Sequence, residues 1–305
     1  MTRPYGARVL VATAVALLGA HGLVAGCGFE LASGPGGSAD ASATDASVNP
    51  RTDAATDAGG TGCGFALDAA AFTASELCAG ESSQCAGSAT PTDEGLSLTS
   101  ADSSPSDPQT GAFWRRVALP IGTPFTLTLD VSTHQPPAGG TPGVGYAVAL
   151  LQADPGADGF PTLTPGEPTA MGINRLEGFR GAAALVKTYD GSADYGVFAL
   201  ATRPIPFDEL GNVPRANDER FLRTDPTYQR LVIQGDATGY SVELFRFAGP
   251  DFVDGHSLEK ATFTVPDGAK ALTRIDFVGV AGARGNDQYS QSAHVLRALS
   301  LACEP

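Results

Sequence analysis

Leu23-Val24-Ala25-Gly26-Cys27 sets a thiol directly behind a run of small and aliphatic residues. Ahead of it stand Arg3 and Arg8, then an apolar stretch from Val9 to Leu18. A basic head, a short apolar segment and a small-residue processing site make an export signal. The stretch is too short and too alanine-rich for an ordinary transmembrane span. With cysteine in last place the motif reads as a bacterial lipobox, and its chemistry is acylation of the Cys27 sulfur. Each buried methylene of such an anchor adds about 0.8 kcal/mol of membrane affinity. The expectation is a signal peptide over 1–26 and a chain held at a membrane through lipid on Cys27. Gly28 rather than Asp follows the cysteine. That favours the outer membrane, within a cell-envelope or cell-surface location.

Four more cysteines remain: Cys63, Cys78, Cys85 and Cys303. An even set in an exported chain points to two disulfides, and three pairings are open. The spacing lacks the paired C-x2-C clusters of a structural zinc site.

Other residues have the types for chemistry but not the spacing. Gly255-His256-Ser257-Leu258-Glu259 begins like a nucleophile elbow, yet lacks the final Gly and a strand–turn–helix setting. A surface turn before a strand at Ala261 is expected there. His134, His256 and His294 have no mutual metal spacing and read as structural histidines. Asp154–Gly159 and Asp190–Asp194 hold hard oxygens that calcium would accept, but not at every second residue as a calcium loop requires. Both read as turns, and no cofactor is expected. Among the aromatics, Trp114, Tyr146, Phe160, Phe179, Tyr189 and Tyr195 are of the kind that fills strand cores. The best ligand-contacting stretch is Gly285–Gln291, where Asn286, Asp287 and Tyr289 offer an amide, a carboxylate and a phenol to a sugar-like ring.

These residues sit in a chain of 305 with 38 Gly and 22 Pro, 17% charged, at a formal charge of -14. So acidic a surface is repelled by phosphate backbones, so nucleic acid is not expected as a partner. Residues 27–62 are Ala, Asp, Ser, Thr and Gly with few large apolar side chains. They cannot bury enough surface to offset ordering and read as a flexible tether spanning about 30 Å. From Cys63 onward, short apolar runs alternate with Gly, Pro and Asp. Strands are expected at Leu96–Thr99, Ala112–Leu119, Phe125–Ser132, Gly145–Gln152, Ala182–Tyr189, Tyr195–Thr202, Arg230–Gln234, Tyr240–Phe247, Ala261–Val265, Thr273–Ala281 and Val295–Leu301. A short helix is expected near Asp68–Leu77, and a long loop over Pro204–Pro226. Many strands without interleaved helices make 63–305 an all-β antiparallel sandwich or barrel.

Several runs, in this order, resemble the concanavalin A-like lectin and glucanase superfamily, specifically its legume-lectin-like domains. They are Phe72–Leu77 with Leu96–Thr99, Gly111-Ala112-Phe113-Trp114, Gly143–Gln152, Gly181–Tyr189, and Arg274–Ala283 with Val295–Leu301. The resemblance implies a jelly-roll β-sandwich and a carbohydrate-binding or adhesion role, with glycan the implied partner. It also implies neighbouring first and last strands, which favours Cys63–Cys303 and Cys78–Cys85 among the pairings. The family's calcium-binding positions are not kept: Val144 stands for the Asp of the central strand, and Leu185-Val186-Lys187-Thr188 supplies no carboxylate. The Glu-x-Asp-x-x-Glu of the glucanase branch occurs nowhere. A hydrolase would then need carboxylates from the long loop, such as Asp208, Glu209, Asp218 or Glu219. The third expectation is a structural envelope protein without a small ligand.

Overall fold

The computed structural model describes residues 63–100, 108–134, 145–163, 171–173, 176–187, 193–194, 197–200, 215–216, 226–264, 272–285 and 293–304. In chain order the elements are β1 (Phe65–Leu67), α1 (Ala69–Thr73), a 3-10 turn (Ser75–Cys78), β2 (Ser83–Gly87), β3 (Thr90–Thr92), β4 (Gly95–Thr99) and β5 (Gln109–Pro120). Next come β6 (Phe125–His134), β7 (Gly145–Ala153), β8 (Phe179–Lys187), β9 (Ala193–Asp194), β10 (Val197–Leu200) and β11 (Arg215–Ala216). The last are β12 (Thr227–Gly235), β13 (Gly239–Phe247), β14 (His256–Thr264), β15 (Arg274–Arg284) and β16 (Ala293–Cys303).

The strands form two antiparallel sheets of eight. Sheet A runs β14-β13-β12-β6-β16-β4-β3, with β1 also on β16. Sheet B runs β11-β9-β8-β7-β15-β5-β2, with β10 also on β8. Alternation decides how sheet A lies. In β6, Phe125, Leu127, Leu129 and Val131 face sheet B, while Thr126 and Thr128 face outward and stay half-exposed. β12 and β13 repeat the pattern, so the apolar halves of all three strands close one core with Phe113, Val148 and Val280 of sheet B.

Sheet B does not alternate, because both of its faces are covered. Gly145–Gln152 and Gly181–Val186 are buried at every residue, the near-continuous apolar run expected of a doubly covered strand. The outward face is mostly small: Ala112, Ala147, Ala149, Ala183, Ala281 and Ala283. Leu163, Met171, Ile173, Leu176 and Phe179 fill the space these alanines leave, with Trp114 and Phe277. Arg116 fastens this layer. Its guanidinium lies 4.6 Å from the Phe160 ring centre and donates to the Asp158 carbonyl at 2.9 Å.

Short elements complete the fold. Asp68 caps α1 by accepting the Ala71 N–H at 2.8 Å, and buried Phe72 meets Phe113 edge-on. The helix expected over Asp68–Leu77 is thus one α turn and one 3-10 turn. Cys63 is bonded to Cys303, and Cys78 to Cys85.

Candidate functional site

Strand register defines two poles. At one, β6 begins opposite the end of β16, with Phe125 facing Cys303. At the other, β6 ends at His134 opposite Ala293, β12 starts at Thr227 and β4 ends at Thr99. There also β5 starts at Gln109, β15 ends at Arg284 and β7 starts at Gly145. The inward-facing positions nearest this second pole break the apolar pattern. Thr99, Thr133, Thr227, Gln229, Arg284 and His294 are buried, and they form a polar layer under the pole with Tyr146.

Bonds within the layer tie elements together. Tyr146 of sheet B donates to Gln229 Oε1 of sheet A at 2.7 Å. Burial raises the phenol well above its ordinary range, with the Asp130 charge adding to it, so Tyr146 stays a neutral donor. Thr99 Oγ1 accepts the His294 backbone N–H at 3.1 Å. Thr99 Oγ1 also lies within hydrogen-bond reach of His294 Nδ1, at 3.1 Å. Burial, with a smaller push from His134, lowers the imidazole to about 3, so the ring is neutral. Gln109 accepts the Ser100 N–H at 2.8 Å and Arg284 donates to the Ser100 carbonyl. Gln229 Nε2 and Thr133 Oγ1 have no hydrogen-bond partner among the described residues.

The outer faces offer less. On sheet A, Asp130 and Arg230 form a fork at 2.6 and 2.8 Å, with the guanidinium over Phe247 and Phe252. Arg297 donates to Glu94 at 2.8 Å. Ser132, His134 and Glu94 are the types of a hydrolytic triad, but Ser132 Oγ and Glu94 Oε2 both approach His134 Nε2, at 3.2 and 3.4 Å. A relay needs its two partners on opposite ring nitrogens. On sheet B the outward positions of β7 and β8 carry Ala147, Ala149, Leu151, Ala183 and Leu185. None of these described positions supplies a carboxylate of the kind that glycoside hydrolysis uses.

The sequence candidates fare unevenly. Cys27, Asn286, Asp287 and Tyr289 lie outside the described residues, as do Val144, Thr188, Tyr189, Tyr195 and the four carboxylates proposed from the long loop. Ser257 lies within β14, correcting the turn expected before Ala261, and donates to Glu243 at 2.9 Å. Asp154 pairs with Arg180 at 3.6 Å in a turn closed by Gly156 at φ 92°. Trp114, Tyr146 and Phe179 are buried and cannot stack on a ligand. Leu185 and Val186 are buried apolar residues on opposite faces of β8. These two described positions therefore offer calcium no oxygen side chain. No group of three or more His, Cys, Asp or Glu side chains suited to a metal occurs among the described residues.

No protein-family model matches the chain, and no curated protein is significantly similar to it in sequence. Solved structures are similar in fold. Arcelin-5, a lectin-like defense protein from Phaseolus vulgaris, superposes with a TM-score of 0.56 at 13% identity, covering 79% of this chain and 99% of its own. Lectin II from Ulex europaeus gives 0.54 at 15%, covering 79% and 98%. The calcium-bound exoplasmic/lumenal domain of VIP36 gives 0.51 at 13%, covering 78% and 89%. The fold is the concanavalin A-like sandwich of the legume-lectin type.

Proposed function

We propose that this protein is an exported lipoprotein, anchored through Cys27, whose lectin-like sandwich binds carbohydrate at its polar pole. The fold carries the reading, since the neighbours that share it include the lectin from Ulex europaeus. The polar layer under one pole adds a chemical reason. Hydroxyl, amide and imidazole groups stiffen the strand ends between which a hydroxyl-rich ligand would be held. The apolar outer face of sheet B weighs against the hydrolase alternative. The apolar residues at the family's metal positions favour recognition without calcium. The small-residue site before Cys27 supports the anchor, and an envelope or surface location follows from it.

Two experiments test this. A glycan array probed with 63–305, with and without chelator, should give chelator-resistant binding. A blank array in both conditions would leave the structural envelope role. Cys27→Ser should move the protein from the membrane to the soluble fraction, and retention at the membrane would overturn the lipoprotein reading.

A further inference from the structure

The N-terminal attachment and the polar pole lie at opposite ends of the sandwich. Cys63, the first described residue, is bonded to Cys303. β1 then runs along the final residues of β16, Phe65 opposite Leu301 and Leu67 opposite Leu299. Whatever precedes Cys63 leaves the domain where β6 begins. From there β16 crosses the sheet in 11 residues to Ala293 and His294, in the polar layer. At about 3.3 Å per residue the poles are roughly 35 Å apart. Among the described residues the flanks offer no competing site: the outer face of sheet B is filled, and on sheet A the Asp130–Arg230 and Arg297–Glu94 pairs engage each other.

We propose that the domain acts as a bridge, engaging an uncharged glycan on a surface other than the one to which its N-terminus is fixed. This rests on the carbohydrate reading above. The opposed poles supply the direction. The formal charge of -14 supplies the ligand class, because an acidic chain is repelled by sialylated or phosphorylated surfaces.

The chain from Cys27 to Pro305, made without its export signal, carries one cysteine beyond the two disulfides. Biotin on Cys27 fixes it to streptavidin by the N-terminal side. A second form, Cys27→Ser with Asp251→Cys, is fixed through a poly(ethylene glycol) spacer of about 30 Å, matching the reach of residues 27–62, by the exposed connection between β13 and β14 at the polar pole. Binding of soluble glucomannan, chitin fragments and galactomannan by both forms before immobilisation checks that each is folded and active. Beads coated with the same three glycans are then captured at equal protein density. The expected result is at least tenfold more beads on the Cys27-linked surface. Equal capture, or more through Asp251, overturns the bridge while leaving the carbohydrate reading standing. No capture on either surface, with no soluble binding, removes both.

Discussion

His294 makes the interior sensitive to acid. Its ring is neutral because burial lowers its proton affinity to about 3, against 6.5 for an ordinary histidine. The unfolded chain therefore binds a proton below pH 6.5 that the folded chain refuses. The His294 contribution is fully present above pH 6.5 and is lost as pH falls from there toward 3, at up to about 1.4 kcal/mol per pH unit. Urea midpoints at pH 7.5, 5.5 and 4.5 should fall more steeply for the native chain than for His294→Gln. Parallel curves would mean that another group controls the acid limb. Little of this layer is legible in the sequence. The strand expected at Arg230–Gln234 extends back to Thr227 in the structure, and only that extension puts Gln229 at an inward position in line with Leu231 and Ile233. What the sequence does not carry is the partner. Tyr146, 83 residues away, reaches Gln229 only because β7 and β12 face each other across the core.

Among the elements, β15 shows how tightly the outer layer of sheet B is fitted. A Cβ on Gly279 would run into the Trp114 ring. Gly279→Ala should cost about 1–3 kcal/mol, read as a lower thermal midpoint. Adding Trp114→Leu should cost less than the sum of the two single changes, and strict additivity would mean that the two residues do not share this contact. The strands that alternate or run continuously apolar were readable: β6, β7, β12 and β13 occupy the expected stretches. The short ones were not. Ser83–Gly87 has neither alternation nor β-branched residues and becomes β2 only by pairing with β5. β14 begins at His256, because Gly255-His256-Ser257 looks like a turn until pairing with β13 overrides it. The second apolar layer was also hidden. Alternate alanines on β7, β8 and β15 do not announce which side chains will cover them.

At the scale of the whole molecule, the Cys63–Cys303 bond closes a separation of 240 residues, and Cys78–Cys85 one of 7. In the chain-entropy model these constrain the unfolded state by about 5 and about 2 kcal/mol. Replacing both members of each pair by Ser should lower the denaturation midpoint far more for Cys63 and Cys303, with little change in activity. Equal losses would place the benefit in local packing instead. The long bridge also has a mechanical consequence. Tension applied to the chain before Cys63 does not first peel β1 away from its edge. It crosses the sulfur bridge into the end of β16, which is hydrogen-bonded along its flanks to β6 and to β1 and β4. A load drawn toward the opposite end then acts along that strand, straining its ladder bonds together rather than one after another. The same covalent link that secures the fold at rest makes its central strand the part that bears a pull.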